Sequence, residues 1–188
     1  MKRILGLIVG ILICTSAYAQ NPLMKVKSGS LDIFKAEVNI KVDIDDYNAI
    51  IAGPNQRAEE FYATKGGSAY TDFCSDLIRA HKSFISYYNA EKGNIKSTVG
   101  ESSDYPYTLQ IYVTHMNVGN AGASVIGLSH KSGGALINGT MKLVDNATNE
   151  VQCEIEFNGI KGMRSPNFNG RAISVYRYLA EALLSIIK

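Results

Sequence analysis

Side chains that bind metals or act as catalytic bases at neutral pH are scarce in this sequence. There are only three histidines, His81, His115 and His130, and no two have the spacing of a helical metal-binding motif. No serine occupies a G-x-S-x-G motif, and the glycine-rich stretch 122–127 contains no lysine that would bind a phosphate. We therefore predict no catalytic residue, no metal ligand and no cofactor, and we expect that the protein is not an enzyme.

A large excess of charge of either sign is also missing. The chain contains 19 basic and 17 acidic residues, and two of the basic ones, Lys2 and Arg3, stand at its N-terminus. Without these two the numbers are equal, and no run of basic residues is left. Proteins that bind nucleic acid or an anionic membrane surface use clustered Lys and Arg. We therefore predict that neither is a partner.

The N-terminal residues have the pattern of a secretory signal peptide. Two basic residues precede an apolar stretch, 4–13, that is too short to span a bilayer, and small residues at 17 and 19 fit a cleavage site. The pattern predicts a signal peptide over residues 1–19 and a mature chain that begins at Gln20, without a transmembrane span. We expect the mature protein in the periplasm or associated with the outer membrane.

The three cysteines leave two questions open. Cys14 could be the acylated residue of a lipoprotein signal, although bulky Ile13 stands where such signals have a small residue. The other two, Cys74 and Cys153, would both be kept in the mature chain, and an exported protein could join them in a disulfide. The alternative is that both are small buried apolar residues.

The clearest structural pattern is a pair of strands within residues 135–157. Apolar and polar residues alternate over 151–157, which places four side chains on one face of a strand: Val151, Cys153, Ile155 and Phe157. Residues 135–144 have the same period, and the sequence D-N-A-T-N-E at 145–150 is typical of a turn. These residues predict a β-hairpin, which needs further strands or a helix to be stable.

Other segments of the chain are predicted to form such further strands and helices. Alternation predicts strands at 36–44 and 107–118. Polar residues 89–104 are interpreted as a loop, or as a short edge strand around 95–99. Apolar residues at three- and four-residue steps predict two long amphipathic helices, one from about residue 70 to 88 and one at 170–187. A short helix is expected within 56–64. Ser68 is predicted to cap the first long helix, and Asn167 or Asn169 the second.

This order of elements predicts an α+β protein. We expect one mainly antiparallel sheet of about four to five strands that ends in a C-terminal meander, with the two long helices packed on one face. Residues 20–34 are interpreted as a flexible leader, and residues 35–188 as a single α/β domain.

The second half of the chain has a recognisable order of features: a strand, a glycine-rich segment, two strands joined by an aspartate turn, and a closing helix. These occupy residues 107–118, 119–134, 139–145, 151–157 and 171–187. In this order the chain resembles Gram-negative envelope domains that share the fold of the N-terminal domain of TolB and of the curli secretion lipoprotein. That group often has a D-x-x-T-G turn, whereas Asn149 stands here in place of the glycine. The resemblance implies a non-enzymatic role in envelope assembly, secretion or accessory binding, and it assigns no functional residue.

The glycine-rich segment 119–134 is the main candidate for a contact surface. It contains Val125, Ile126 and Leu128, followed by His130, and a mobile tip would expose these side chains to a partner. One alternative is a flexible hairpin end without a contact role. Another is a membrane-inserting hairpin, but a barrel strand needs about 9–11 alternating residues, and the segment is too short and glycine-rich to supply two.

A group of carboxylates, Asp43, Asp45 and Asp46, follows the first predicted strand. Alternating carboxylates beside a loop could hold calcium, but the glycine and the terminal glutamate of an EF-hand are missing. A solvated strand end is the favoured interpretation.

Three functional hypotheses follow. In the first, the protein is a non-enzymatic exported binding or assembly module with an envelope protein as partner. In the second, it is a small periplasmic hydrolase, which would need His81 or His115 beside an Asp or Glu in a cleft. In the third, it is a subunit of a homo-oligomeric envelope assembly. The sequence identifies neither a ligand nor an oligomeric state.

Overall fold

The computed structural model describes residues 23–119 and 133–188. These residues form eight strands and four helices. In chain order they are β1 (Met24–Gly29), α1 (Asp32–Lys35), β2 (Asn39–Asp45), β3 (Ile50–Ile51), β4 (Gln56–Arg57), α2 (Ala58–Ala63), α3 (Ala69–Glu91), β5 (Thr98–Gly100), β6 (Tyr107–Asn117), β7 (Leu136–Asp145), β8 (Val151–Lys161) and α4 (Phe168–Ile187).

All eight strands belong to one mixed sheet, whose main order is β1-β8-β7-β6-β2-β5. Strands β6, β7, β8 and β1 pair antiparallel. Strand β2, however, runs parallel to both β5 and β6. The α+β class is confirmed, but the prediction of a mainly antiparallel sheet of four to five strands is wrong in size and in part of its strand directions. The reason is that α3 carries the chain back across the sheet after β2, so that the next strands start from the same end.

The predicted leader, 20–34, contains two ordered elements. Strand β1 pairs with β8 and places Met24 opposite Phe157. Phe34 in α1 is completely buried. Apolar Met24 and Val26 alternate with Lys25 and Lys27, but over only four residues, and burial does not follow the alternation because β1 is an edge strand with only its first residue buried. So short a pattern did not predict the strand.

The core lies between one face of the sheet and the two long helices. Burial alternates along the strands, so that Leu109, Ile111 and Val113 of β6 are buried while Tyr112 between them is exposed. These residues join the apolar stripes of α3 and α4 in one cluster. The two helices run side by side in the same direction, since Phe73 near the start of α3 stacks on Phe168 at the start of α4.

The two helix caps differ from each other. Asn167 caps α4, where its Oδ1 accepts a hydrogen bond from the Gly170 N–H at 2.9 Å. Ser68 stands at the N-cap position of α3, as the sequence suggests, but its side chain makes no capping hydrogen bond. Its hydroxyl donates instead to the carboxylate of Asp72 at 2.7 Å.

Candidate functional site

The predicted contact surface, Val125, Ile126, Leu128 and His130, lies outside the described residues. The structure does describe the chain on either side of residues 120–132 and the side chains that hold these two ends together. We call this region the segment base. It consists of Val118, Gly119, Gly133, Gly134, Gly162, Ser165 and Arg171.

The backbone approaches closely at the segment base. A Cβ atom added to Gly119 would lie 2.3 Å from the carbonyl oxygen of Gly133, and Gly119 also has a φ of +76°. A Cβ added to Gly134 would lie 2.1 Å from the carbonyl oxygen of Gly162. Both distances are far below van der Waals contact, so only glycine fits at these positions.

Arg171 in α4 links three parts of the chain at this base. Its Nε donates to the carbonyl oxygen of Val118 at 2.7 Å, and its Nη1 donates to the carbonyl oxygen of Ser165 at 2.6 Å. The residue is only 7% exposed. All 17 acidic residues of the chain are among the described residues, and none forms an ion pair with Arg171.

A buried guanidinium without a carboxylate partner is unfavourable unless its donors are satisfied. Burial accordingly lowers the pKa of Arg171. The two carbonyl bonds offset part of this cost, and in doing so they join the end of β6, the loop before α4, and α4 itself. Arg171 therefore fixes the position from which residues 120–132 leave the sheet.

An aromatic cluster adjoins the segment base. Tyr62 of α2 stacks on Phe73 of α3 with ring centroids 4.0 Å apart, and Phe73 stacks on Phe168 of α4 at 5.5 Å. Burial raises the pKa of Tyr62, and the nearby charge of Arg171 acts in the opposite direction. The cluster joins the end of α2 to the beginnings of α3 and α4.

A second polar cluster is buried where β2, α3 and α4 meet. His81 Nε2 lies 2.8 Å from Oδ2 of Asp46, and the hydroxyl of Tyr176 donates to the same oxygen at 2.5 Å. A carboxylate oxygen only accepts hydrogen bonds, so Nε2 of His81 carries a proton. Asp46 is completely buried, and its Oδ1 has no hydrogen-bond partner.

This environment strongly disfavours ionisation of the tyrosine. The pKa of Tyr176 is raised well above its ordinary value, first by burial and then by the charge of Asp46. The His81 side chain is 18% exposed, so the imidazole is the part of the cluster that reaches the surface. Through these hydrogen bonds Asp46 links the loop after β2 to both long helices inside the protein.

The structure thus places one of the two histidines of the hydrolase hypothesis next to a carboxylate. His81 has the partner that the hydrolase hypothesis needs, but the fully buried carboxylate has no contact with solvent. His115 instead lies near its neighbour, with Nδ1 3.2 Å from the Thr114 hydroxyl oxygen. The sequence did not indicate the role of Tyr176, because its position in the apolar stripe of α4 is that of an ordinary core residue.

The aspartates at the end of β2, Asp43 and Asp45 within the strand and Asp46 after it, do not converge. Asp43 lies 4.0 Å from Lys41, and both oxygens of Asp45 accept from the Asn48 amide at 3.1 Å. Asp46 turns inward to His81. In residues 23–119 and 133–188, no group of three or more His, Cys, Asp or Glu side chains could hold a metal ion.

The disulfide that the sequence left open is not formed in this structure. Cys74 and Cys153 are both free thiols. Cys153 points into the core between the sheet and the helices, and burial raises its pKa to about 11. Cys74 is half-buried and interacts with Tyr47 and Tyr70. Cys153 therefore fits the alternative of a small buried apolar residue.

None of the helices in the described part of the chain is long and apolar enough to cross a membrane.

Neither a family model nor a curated protein matches the chain. Similar solved structures include the PelC dodecamer from Paraburkholderia phytofirmans, with 15% identity over 87% of this chain and 97% of that chain and a TM-score of 0.46. A PelC variant from the same organism, also a dodecamer, has 12% identity over 85% and 95% and a TM-score of 0.38. A Xanthomonas campestris protein of the DUF330 family has 13% identity over 81% and 83% and a TM-score of 0.35. At these TM-scores the likenesses carry no argument about this chain, and its resemblance to the TolB group stays a prediction.

Proposed function

We propose that this protein is a non-enzymatic exported protein of the bacterial envelope that acts as a binding or assembly module. The observation that carries the proposal is the segment base. A buried arginine with no carboxylate partner bonds the end of β6, and glycines that tolerate no side chain let Gly133 and Gly134 approach it closely; the sequence between them contains Val125, Ile126 and Leu128. Such costly anchoring supports a role in which the position of this segment matters.

The absence of catalysis is part of the proposal. It is supported by the burial of Asp46, whose carboxylate meets His81 and Tyr176 inside the protein. A general base must reach a proton of the substrate, directly or through one water. In the hydrolase hypothesis this base would be His81, but its Nε2 is bonded to Asp46 inside the protein and its side chain is only 18% exposed, which supports a structural role.

Export to the periplasm or the outer membrane is proposed from the signal sequence. Purification of the protein from envelope fractions, followed by mass spectrometry of its N-terminus, tests it. A chain that begins at Gln20 supports signal peptidase cleavage, and a chain that begins at an acylated Cys14 identifies a lipoprotein. A cytoplasmic chain that still begins at Met1 would contradict export.

The binding role can be tested by affinity capture from envelope extract. The bait is the mature chain, and the test variant has residues 125–128 replaced by a Gly-Ser linker. A matched control carries the same replacement at residues 146–149, the turn at the opposite end of the sheet. We expect a partner that is captured by the wild type and the control but not by the test variant.

Arg171→Lys provides a second test of the segment base. Lysine keeps the charge but has no fork of donors to bond the carbonyl oxygens of Val118 and Ser165 together. Weaker capture by a folded Arg171→Lys protein would support the proposal. Full capture by both this variant and the linker variant would contradict it.

The alternative is a subunit of a homo-oligomeric envelope assembly. One observation favours it: the two opposite flanks of the sheet expose apolar surfaces of different shape, a ridge on one flank and a groove on the other. Closed rings and open filaments both need two such different surfaces on each subunit.

A further inference from the structure

The ridge lies on α3 and consists of Tyr70, Cys74 and Ile78. These residues are four apart and share one side of the helix. Ile78 is 49% exposed and Tyr70 37% exposed, so both are large apolar side chains that lie on the surface and not in the core. Cys74 lies between them and is half-buried. We call this surface the α3 ridge.

The ridge is exposed because the sheet beneath it ends early. The helix has 23 residues, whereas β5, the strand next to β2 on this flank, has three. Strand β5 pairs only with residues 39–41 of β2. Among the described residues, no strand pairs with the outer edge of residues 42–45. The N-terminal half of α3, which carries the ridge, therefore extends beyond the edge of the sheet.

The opposite flank has a recess where α4 passes over the ends of β1 and β8. It has a volume of about 470 Å³, and its lining includes Leu23, Ile160, Lys161, Tyr178, Glu181 and Ala182. Leu23 at its mouth is 38% exposed. We call this recess the α4 groove. Since β1 and β5 stand at the two ends of the strand order, the groove and the ridge face in opposite directions.

Both flanks carry charges of both signs, and they include two pairs of opposite sign. In the helix layer, exposed Lys82 follows Ile78 by one turn, and exposed Glu181 lies on the rim of the α4 groove. On the open face of the sheet, β2 carries Asp43 on one flank and β1 carries Lys25 on the other. A translation that brings one flank against the other would bring Lys82 towards Glu181 and Asp43 towards Lys25.

We propose that copies of this chain associate head to tail, with the α3 ridge of one copy seated in the α4 groove of the next. This inference rests on the assembly alternative stated above. Tyr70 and Ile78 would supply the apolar anchors in the centre of the contact, and the charged pairs would surround them. Because the two surfaces differ, each copy keeps a free ridge or groove after one contact, and association continues until a ring closes.

The experiment is sedimentation velocity with the mature chain and two variants, Ile78→Lys in the ridge and Leu23→Glu in the groove. We expect the wild type to sediment as an assembly larger than a dimer, and each variant alone as a monomer. An equimolar mixture of the two variants should form a one-to-one heterodimer. The first variant still has an intact groove and the second an intact ridge, so one contact forms and the assembly stops there.

Val151→Lys is the matched control. Val151 is 50% exposed, like Ile78, but lies at the far end of β8 away from both flanks. This variant should assemble like the wild type. Circular dichroism melts establish that each variant is folded, and Tyr70→Glu replaces Ile78→Lys if the latter does not fold.

A wild type that is monomeric at high micromolar concentration would overturn the proposal. So would single variants that assemble like the wild type, or a mixture that stays monomeric. The binding function is distinguished by the affinity capture described above. A monomeric wild type that still captures an envelope partner would refute the head-to-tail contact and would still support the proposed binding function.

Discussion

Replacing Tyr176 with phenylalanine should have opposite effects on stability in two backgrounds. In the wild type, the Tyr176 hydroxyl donates to Oδ2 of Asp46, which is completely buried and has only one other hydrogen-bond partner, His81. Loss of this donor leaves a buried carboxylate less well satisfied. In an Asp46→Ala background, the same hydroxyl has lost its acceptor, and its removal eliminates a buried unpaired group.

The magnitudes follow from the charge state of the partners. A hydrogen bond to a charged group contributes about 1.5–3 kcal/mol, so Tyr176→Phe should lower the free energy of unfolding of the wild type by about 2 kcal/mol. A buried unsatisfied hydroxyl costs about 1 kcal/mol or more, so in Asp46→Ala the substitution should be neutral or stabilising by about 1 kcal/mol. The coupling energy between the two positions is then about 2–3 kcal/mol.

Equilibrium urea denaturation, followed by far-ultraviolet circular dichroism, measures these values, since the chain has no tryptophan for fluorescence. Tyr88→Phe is the matched control. The hydroxyl oxygen of Tyr88 lies 2.8 Å from that of Ser97 in the same core, and this neutral bond should contribute about 1 kcal/mol in both backgrounds. An equal loss for Tyr176→Phe with and without Asp46 would refute the coupling.

Three further predictions concern packing and the thiols. Gly139→Ala should destabilise the protein by about 3 kcal/mol in the same assay, because the new Cβ would lie 2.0 Å from the Tyr112 carbonyl oxygen and 2.6 Å from the Phe157 ring. Ellman's reagent should modify one thiol of the folded Ile78→Lys variant, in which no second copy covers the α3 ridge, and Cys74→Ser should abolish this reaction, because Cys153 is buried and its pKa is raised to about 11. Because the folded state holds the Cys153 proton more tightly than the unfolded state, this thiol should make the free energy of unfolding fall above about pH 9, by up to about 1.4 kcal/mol per pH unit until about pH 11, and Cys153→Ala should make the alkaline slope shallower by that contribution. Equal reactivity of both thiols, or an unchanged alkaline slope in Cys153→Ala, would contradict the burial on which the last two predictions depend.

The strongly periodic elements were predictable from the sequence. Strands β6, β7 and β8 have one buried and one open face, and α3 and α4 have one apolar stripe each. The spacing of apolar residues in the sequence therefore shows which side of each element is buried. Strand β1 was not predictable in this way. It lies at the edge, where only Met24 is buried and the backbone pairing with β8 stabilises it.

The candidate sites were harder to predict from the sequence. The glycines of the segment base drew attention to residues 119–134, but nothing in the sequence joins that segment to Arg171, which is 53 residues beyond Val118. The contact between Asp46 and Tyr176 spans 130 residues. Both depend on how α4 is placed over the sheet, and local patterns carry no information about partners so far apart.

By itself, the sequence determined the class of the fold, the two long helices and the C-terminal hairpin, because each buries one face whose period is visible in the order of residues. Only the tertiary structure decided that β2 runs parallel to β6, that Asp46 meets His81 and Tyr176, and that the α3 ridge overhangs a short β5. These features result from the crossover of α3 and from the unequal lengths of neighbouring elements. They are properties of how the elements meet, and no single segment of the chain encodes them.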